Sequence, residues 1–276
     1  KLGGKRMTFL SLDHVSHYYF SPTGYTKALE EVSFTVEEGE FVSIIGPSGC
    51  GKSTILSIIG RLMKQTEGKI TLKDKPLMES PLNIGYMLQQ DYLFPWKTII
   101  ENILLGPKIN DQLTDETIEQ ARKLLEEVNL SHTEQYYPSE LSGGMRQRIS
   151  LVRTLITNPE ILLFDEPFSA LDYVTKLKLE NLVAKLMKTY HKTAILVTHD
   201  IGEAISMSDR ILLMDTSPGK IVQIFDMPKV LRETAPFYVR RHPEYQPIFD
   251  EIWNRVNSTE KLEDRKGMTN DERNDR

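Results

Sequence analysis

Cysteine is almost absent from this 276-residue chain. Cys50 stands alone, so no intrachain disulfide and no multi-cysteine metal site can form, and such usage fits a reducing compartment. Long apolar runs are missing too. The longest, such as residues 161–164 and 211–214, have strand length, far short of the roughly 18–20 residues that cross a bilayer. A basic excess is also lacking: 34 Lys and Arg against 39 Asp and Glu leave a net charge of −5. That balance provides no global field for nucleic acid, and no nucleic-acid partner is expected. The amino-terminal stretch has no apolar signal core, and "KLGGKR" ahead of Met7 reads as an appended remnant outside the fold. These absences point to the cytosol. What is present is an ordinary globular balance, 39% hydrophobic and 26% charged, sufficient for one large domain or two small ones.

Hydrophobic periodicity divides the chain into strands and helices. Residues 9–51 read as short strands, of which "FVSII" is continuously apolar and therefore buried on both faces. After Gly51 the period becomes helical in "KSTILSIIGRL", so a glycine loop joins a buried strand to a helix. "GKITLKDKPL" and "NIGYML" read as further strands. From about residue 90 to 157 the pattern is mostly helical, and "DETIEQARKLLEEVNL" is amphipathic with acidic residues in its first turn. "EILLFDEP", "TAILVTH" and "RILLMD" then alternate with helical stretches, the pattern of a largely parallel sheet with crossovers. Residues 236–256 read as a helical end piece. Residues 257–276, charged and poor in large apolar side chains, are expected to be disordered.

Residues 46–53 of "GPSGCGKST" match the phosphate-loop pattern in its required setting, after a strand and opening a helix. Glycines 46, 49 and 51 let the backbone approach phosphate oxygens, and the loop's N–H groups and helix end surround them. Lys52 adds charge against β- and γ-phosphates, and Ser53 is placed to ligate Mg²⁺. "ILLFDEP" supplies Asp165 at a strand end for the metal shell, and Glu166 to orient or deprotonate the attacking water. In "LSGGMRQR", Ser142, Gly143 and Gly144 open a helix and form a second anion site. Both anion sites can serve one nucleotide only if they come from different protomers or lie close in one fold. His199, ending another apolar strand in "ILVTHD", is placed to bond a γ-phosphate or the water. Cys50 reads as filling a permissive loop position.

Together these residues resemble the ATP-binding subunit of an ABC transporter over about residues 10–230, with the motifs in the family's order. Walker A is "GPSGCGKST", the Q-loop "LQQDYLFPW", the signature "LSGGMRQR", Walker B "ILLFDEP", the D-loop "SALD", and the switch histidine lies in "VTHD". The resemblance implies an α/β fold: a RecA-like, mostly parallel core sheet, an N-terminal antiparallel β subdomain and an α-helical subdomain at about 90–157. The ATPase domain would span 7–235, followed by the extension at 236–256. It implies that Gly46, Pro47, Ser48, Gly49, Cys50, Gly51, Lys52, Ser53 and Thr54 cradle the nucleotide. Leu141, Ser142, Gly143 and Gly144 would cover it from a second copy. Gln89, with Gln90 as its rival, would touch Mg²⁺ and the water. Tyr19, with Tyr18 as its rival, would stack on adenine. Asp172 would lie along the dimer interface, and Ser53, Gln89 and Asp165 would hold the metal. Glu166 and His199 would be catalytic.

The same resemblance implies ATP and Mg²⁺ as ligands, a head-to-tail dimer closed by ATP, and hydrolysis coupled to transport. The partners would be two membrane permease subunits and, indirectly, an extracytoplasmic solute-binding protein, with the chain peripheral on the cytoplasmic face of the membrane. "LFPW" after the glutamine and Phe168 in "DEPFSALD" resemble the nitrate, sulfonate and taurine importer branch, whose substrates also include pyrimidine-type precursors. A soluble ABC ATPase usually carries a long coiled coil or two cassettes, and an exporter cassette is normally fused to membrane helices. Neither feature is present in this sequence. Part of "YLFPWKTIIENILLG" is expected to form a groove for a permease helix, with Phe94, Trp96 and Ile99 lining it or else buried as core.

Overall fold

The computed structural model describes residues 8–216 and 218–258. The expectations for residues 1–6 and for the tail from 259 onward lie outside the described residues. Strands β1 (Thr8–Ser21) and β2 (Gly24–Glu37) form a long antiparallel hairpin. It is longer than the short strands expected, because the aromatic tip pairs Tyr18 with Lys27, Tyr19 with Thr26 and Phe20 with Tyr25. The loop after β3 (Phe41–Ile45) leads into helix α1 (Lys52–Ile59). Strands β4 (Glu67–Leu72) and β5 (Lys75–Pro76) complete an antiparallel sheet of order β2-β1-β4-β5.

The second sheet carries the site. It contains β3, β6 (Ile84–Met87), β7 (Ile161–Asp165), β8 (Thr193–Val197), β9 (Arg210–Asp215) and β10 (Lys220–Asp226), in the order β10-β9-β3-β8-β7-β6. All neighbours run parallel except β10, which closes one edge antiparallel to β9. The sequence reading did not identify β10, a short edge strand that leaves Val222 and Ile224 exposed. Side chains alternate across each parallel strand. Leu162, Phe164, Ala194 and Leu196 face one core with the helical region, while Ile161, Leu163, Ile195 and Val197 face another with α1 and the antiparallel sheet. Burial on both faces is why these strands read as unbroken apolar runs.

Register decides where the loops emerge. Ile44 pairs with Val197, Val197 with Asp165, and Met87 with Phe164. The segments that follow β3, β6, β7 and β8 therefore all leave at one sheet edge, the carboxyl edge where ligands of such sheets bind.

Between β6 and β7 lie helices α2 (Ile99–Ile103), α3 (Leu105–Ile109), α4 (Asp115–Glu127) and α5 (Gly143–Leu155). Thr98, Thr114 and Ser142 cap α2, α4 and α5 by accepting backbone N–H bonds at their first turns. Helices α6 (Tyr173–Thr189) and α7 (Ile201–Met207) follow β7 and β8, capped by Asp172 and Asp200. The described residues end in α8 (Lys229–Glu233), α9 (Pro236–Val239) and α10 (residues 245–258). Asn257 and Ser258 thus continue the last helix, two residues into the stretch expected to be tail. Among the described residues, no helix is long and apolar enough to cross a membrane.

Candidate functional site

Gly51 precedes α1 at φ 91°, a left-handed backbone that glycine adopts without steric cost. Lys52 folds back over the loop and donates to Gly46 O at 2.7 Å and Pro47 O at 2.8 Å. The segment after β9 closes the loop from outside. A Cβ on Gly219 would stand 2.1 Å from Cys50 O, so only glycine permits this approach, and Gly219 N–H donates to Ala28 O on β2 at 3.0 Å. The β1–β2 hairpin and this segment thereby wall a cleft of about 440 Å³ over the loop. Tyr19, Ser48, Gly49, Gly51, Lys52, Ser53, Thr54 and Glu166 all line it. Thr26, Lys27, Ala28 and Pro218 line it as well; no motif marks them, and the pairing of Tyr19 with Thr26 brings the first three there while the Gly219 bond to Ala28 brings Pro218.

Tyr19 bonds Thr54 through its hydroxyl, OH to Oγ1 at 3.1 Å. Tyr18 turns away, its ring 5.6 Å from that of Tyr25 and under the Lys27 ammonium. Adjacent strand residues face opposite sides, so one of the pair had to leave the cleft.

Ser53 Oγ donates to Asp165 Oδ1 at 3.1 Å, and the Tyr86 hydroxyl donates to Asp165 Oδ2 at 3.4 Å. Burial pushes the Asp165 carboxyl up, against the two hydrogen bonds that favour its ionised form. Burial, with the charge of Asp165, pushes the Tyr86 phenol up to about 12. Glu166 continues the ladder by donating its N–H to Val197 O at 2.9 Å, yet its φ is 48°, left-handed for a residue with a side chain. Such a conformation costs about 1–3 kcal/mol and clusters at functional sites. Here it accompanies a Glu166 Oε2 that stands 3.1 Å from His199 Nδ1.

Gln89 is exposed beside this pair rather than joined to Ser53 and Asp165. Its amide donates to Ser169 Oγ at 3.1 Å, and Ser169 Oγ donates to Glu166 O at 2.9 Å. Gln147 on α5 holds the Gln89 carbonyl at 2.8 Å. Ser169 and Gln147 were not singled out in the sequence, although both lie within or beside its motifs.

The remaining expected residues stand elsewhere. Ser142 and Gly144 line a separate cleft with Thr175 and Arg148, and none of the residues 141–144 lines the cleft over the phosphate loop. Ser142 caps α5 by accepting from Met145 N–H at 3.4 Å, and a Cβ on Gly143 would meet only ordinary contacts, Arg146 Nη2 at 3.9 Å and Leu171 Cδ2 at 4.0 Å. The Leu141 side chain belongs to the helical core, while its N–H donates to Pro138 O at 3.2 Å and its carbonyl accepts from Arg146 at 2.8 Å. Cys50, expected to fill a permissive loop position, has its side chain fully buried beneath the loop, and burial pushes the thiol up. Asp172 caps α6, accepting from Thr175 N–H at 3.1 Å.

The sequence profile of the family described as ABC transporter matches residues 29–169. This chain belongs to the ABC transporter family. It is an ATP-binding ATPase. The chain is 55% identical to the uncharacterized ABC transporter ATP-binding protein YtlC of Bacillus subtilis, over 92% of this chain and 98% of that protein. It is 40% identical to the aliphatic sulfonates import ATP-binding protein SsuB of Bacillus cereus, over 79% of this chain and 85% of that protein. With the taurine import ATP-binding protein TauB of Rhizobium johnstonii it shares 38% identity, over 92% and 98%. Among solved structures, the ATP-binding cassette MJ0796, a dimer in a post-hydrolysis state bound to ADP and Pi, superposes with a TM-score of 0.70 at 33% identity. That match covers 79% of this chain and 99% of that one.

The surface of this ABC ATPase beside Gln89 divides the residues once grouped as a groove. Ile99 is fully buried in the helical core, whereas Trp96 is 70% exposed with Phe94 half-buried against it at 5.3 Å. Tyr92 and Leu88 are exposed in the same stretch.

Proposed function

We propose that this chain is the ATP-hydrolysing subunit of a membrane importer for a small solute of the sulfonate, taurine, nitrate or pyrimidine-precursor class. Two copies would pack head to tail, each ATP lying between the phosphate loop of one and residues 141–144 of the other. The observation that carries this reading is the split of the two anion-binding helix starts between separate clefts. Residues suited to one nucleotide but held apart in one chain meet only across a symmetric interface. The import assignment is supported by the names of SsuB and TauB and the extent to which they align with this chain.

In the closed site the Lys52 ammonium exchanges its carbonyl partners for β- and γ-phosphate oxygens, and Tyr19 stacks on adenine. Glu166 orients the attacking water and takes its proton, while His199 holds the Glu166 carboxylate and the γ-phosphate. Among the described residues no group of three or more His, Cys, Asp and Glu side chains could hold a metal alone. The Ser53–Asp165 pair instead fits Mg²⁺, which is bound by one or two protein oxygens together with phosphates and water. Ser53, Asp165 and Gln89 would hold Mg²⁺, which neutralises charge on the phosphates. The exposed Trp96 and Phe94 would seat a short helix of each of two permease subunits, placing the chain on the cytoplasmic face of the membrane. A solute-binding protein would deliver cargo from outside.

Light scattering of Glu166→Gln with and without ATP and Mg²⁺ tests the reading. A monomer that becomes a dimer only with nucleotide supports it. Retention of steady-state hydrolysis in this variant would show that Glu166 is not the base.

A further inference from the structure

Below the nucleotide cleft, α6, α7 and the C-terminal segment enclose five charged side chains. Lys176 on α6 donates to Asp200 Oδ2 at 2.6 Å and pairs with Glu203 Oε1 at 2.5 Å. The other oxygen of Glu203 accepts from Thr198 Oγ1 at 2.5 Å, and Thr198 Oγ1 accepts from Asp200 N–H at 3.0 Å. His199 is the residue between Thr198 and Asp200. The circuit therefore fixes both neighbours of the imidazole that stands against Glu166.

The extension packs beside this circuit. Arg240 makes two bonds to Glu180, at 2.8 and 3.1 Å, and Glu180 is fully buried on α6 one turn beyond Lys176. On α7, a Cβ at Gly202 would lie 3.0 Å from the Tyr245 hydroxyl and 3.4 Å from Arg240 Nε. Both side chains thus rest on the turn that begins at Asp200. Val239 and Ile252 complete the docking by sharing a core with Ile201, Ala204 and Ile205. That apolar face already supplies a reason to dock, and buried ion pairs are a poor source of net stability. What the charges add is placement: Arg240, bonded to Glu180 on α6, lies against Gly202 on α7, beside the separate hydrogen-bonded circuit of Lys176, Asp200, Glu203 and Thr198 that flanks His199.

We propose that the C-terminal extension positions His199, with Arg240 and Tyr245 as positioning residues, so that ATP turnover requires residues 236–258 to be seated on α6 and α7. The proposal rests on the catalytic reading of His199 given above. A partner that lifts the extension would slow turnover without touching the nucleotide cleft, making this segment a control point remote from ATP.

The test uses the full chain with three changes: Glu180→Gln with Arg240→Gln, Arg240→Lys alone, and Tyr245→Phe. Phosphate release measures kcat and KM, a fluorescent ATP analogue measures affinity, and imidazole ¹⁵N signals, assigned against His199→Gln, report the ring itself. In the doubly substituted protein kcat should fall about tenfold, with analogue affinity within about twofold of wild type and the His199 signals displaced. Arg240→Lys should recover part of the loss. If the double variant fails to fold, Tyr245→Phe carries the same expectation at about threefold. Wild-type kcat and unmoved His199 signals in a folded variant would overturn the proposal. A wild-type protein that binds ATP without hydrolysing it would instead count against the catalytic reading. The His199 signals would then decide the positional coupling alone, displaced in support of it and unmoved against it.

Discussion

Ser53 Oγ and Asp165 Oδ1, 112 positions apart in the chain, share a hydrogen bond of 3.1 Å. One belongs to the start of α1 and the other to the end of β7, so the contact joins the phosphate loop to the strand beside β8. Asp165→Asn keeps the shape and removes the charge. Mg²⁺-dependent phosphate release should fall by roughly 100-fold or more, because metal stabilisation of phosphoryl charge amounts to several kcal/mol. Nucleotide binding measured in EDTA should change little, and a large loss there would assign Asp165 a structural role.

Lys52 is nearly buried and already hydrogen-bonded to two loop carbonyls. Its replacement by Met keeps the length and deletes charge-assisted bonds each worth about 1.5–3 kcal/mol. ATP affinity, followed by fluorescence of a labelled analogue, should drop about 10- to 100-fold. An unchanged affinity would mean that backbone N–H groups alone hold the phosphates.

Gly144 abuts α6, and an added Cβ would fall 2.3 Å from Thr175 Cγ2. Gly144→Ala gains about 0.5–1 kcal/mol of helix preference, but overpacking costs about 1–3 kcal/mol. The net effect in urea unfolding should be destabilising by about 1 kcal/mol. Adding Thr175→Ser, which removes the obstructing methyl, should reverse the sign. A stabilised single variant would show that α5 and α6 separate freely.

Tyr190, at the end of α6, donates its hydroxyl to Glu127 Oε1 on the end of α4 at 2.6 Å. Burial first, then the bond to this carboxylate, pushes the phenol up to about 12 from 10.0. The raised value means that the unfolded chain ionises before the folded one. The resulting stability is fully present below pH 10 and is lost between about 10 and 12. Urea midpoints at pH 9, 10 and 11 should fall more steeply for wild type than for Tyr190→Phe, and parallel slopes would sink the assignment.

Much of the site was legible because its chemistry is contiguous. The loop from Gly46 to Thr54 carries its own glycines, lysine and hydroxyls, and its helix starts where the hydrophobic period changes. Asp165, Glu166 and His199 end apolar runs that can only be buried strands, and parallel register carries all three to one edge. Other features depended on partners far away in sequence. The choice of Tyr19 over Tyr18 follows from which face of β1 lies against α1, which alternation alone does not tell. The Gln89 amide meets Ser169 because β6 and β7 are neighbours. Leu141 and Cys50 belong to motifs, but their side chains were claimed by cores that the motifs do not describe.

The sequence by itself determined the family's motifs and their order, since short loops between period-matched elements encode them locally. Only the tertiary structure decided which cleft each motif faces, and that Arg240 reaches α6 to meet Glu180 60 positions earlier in the chain. A buried ion pair of that kind depends on two helices packing at one angle, which no local pattern of residues specifies.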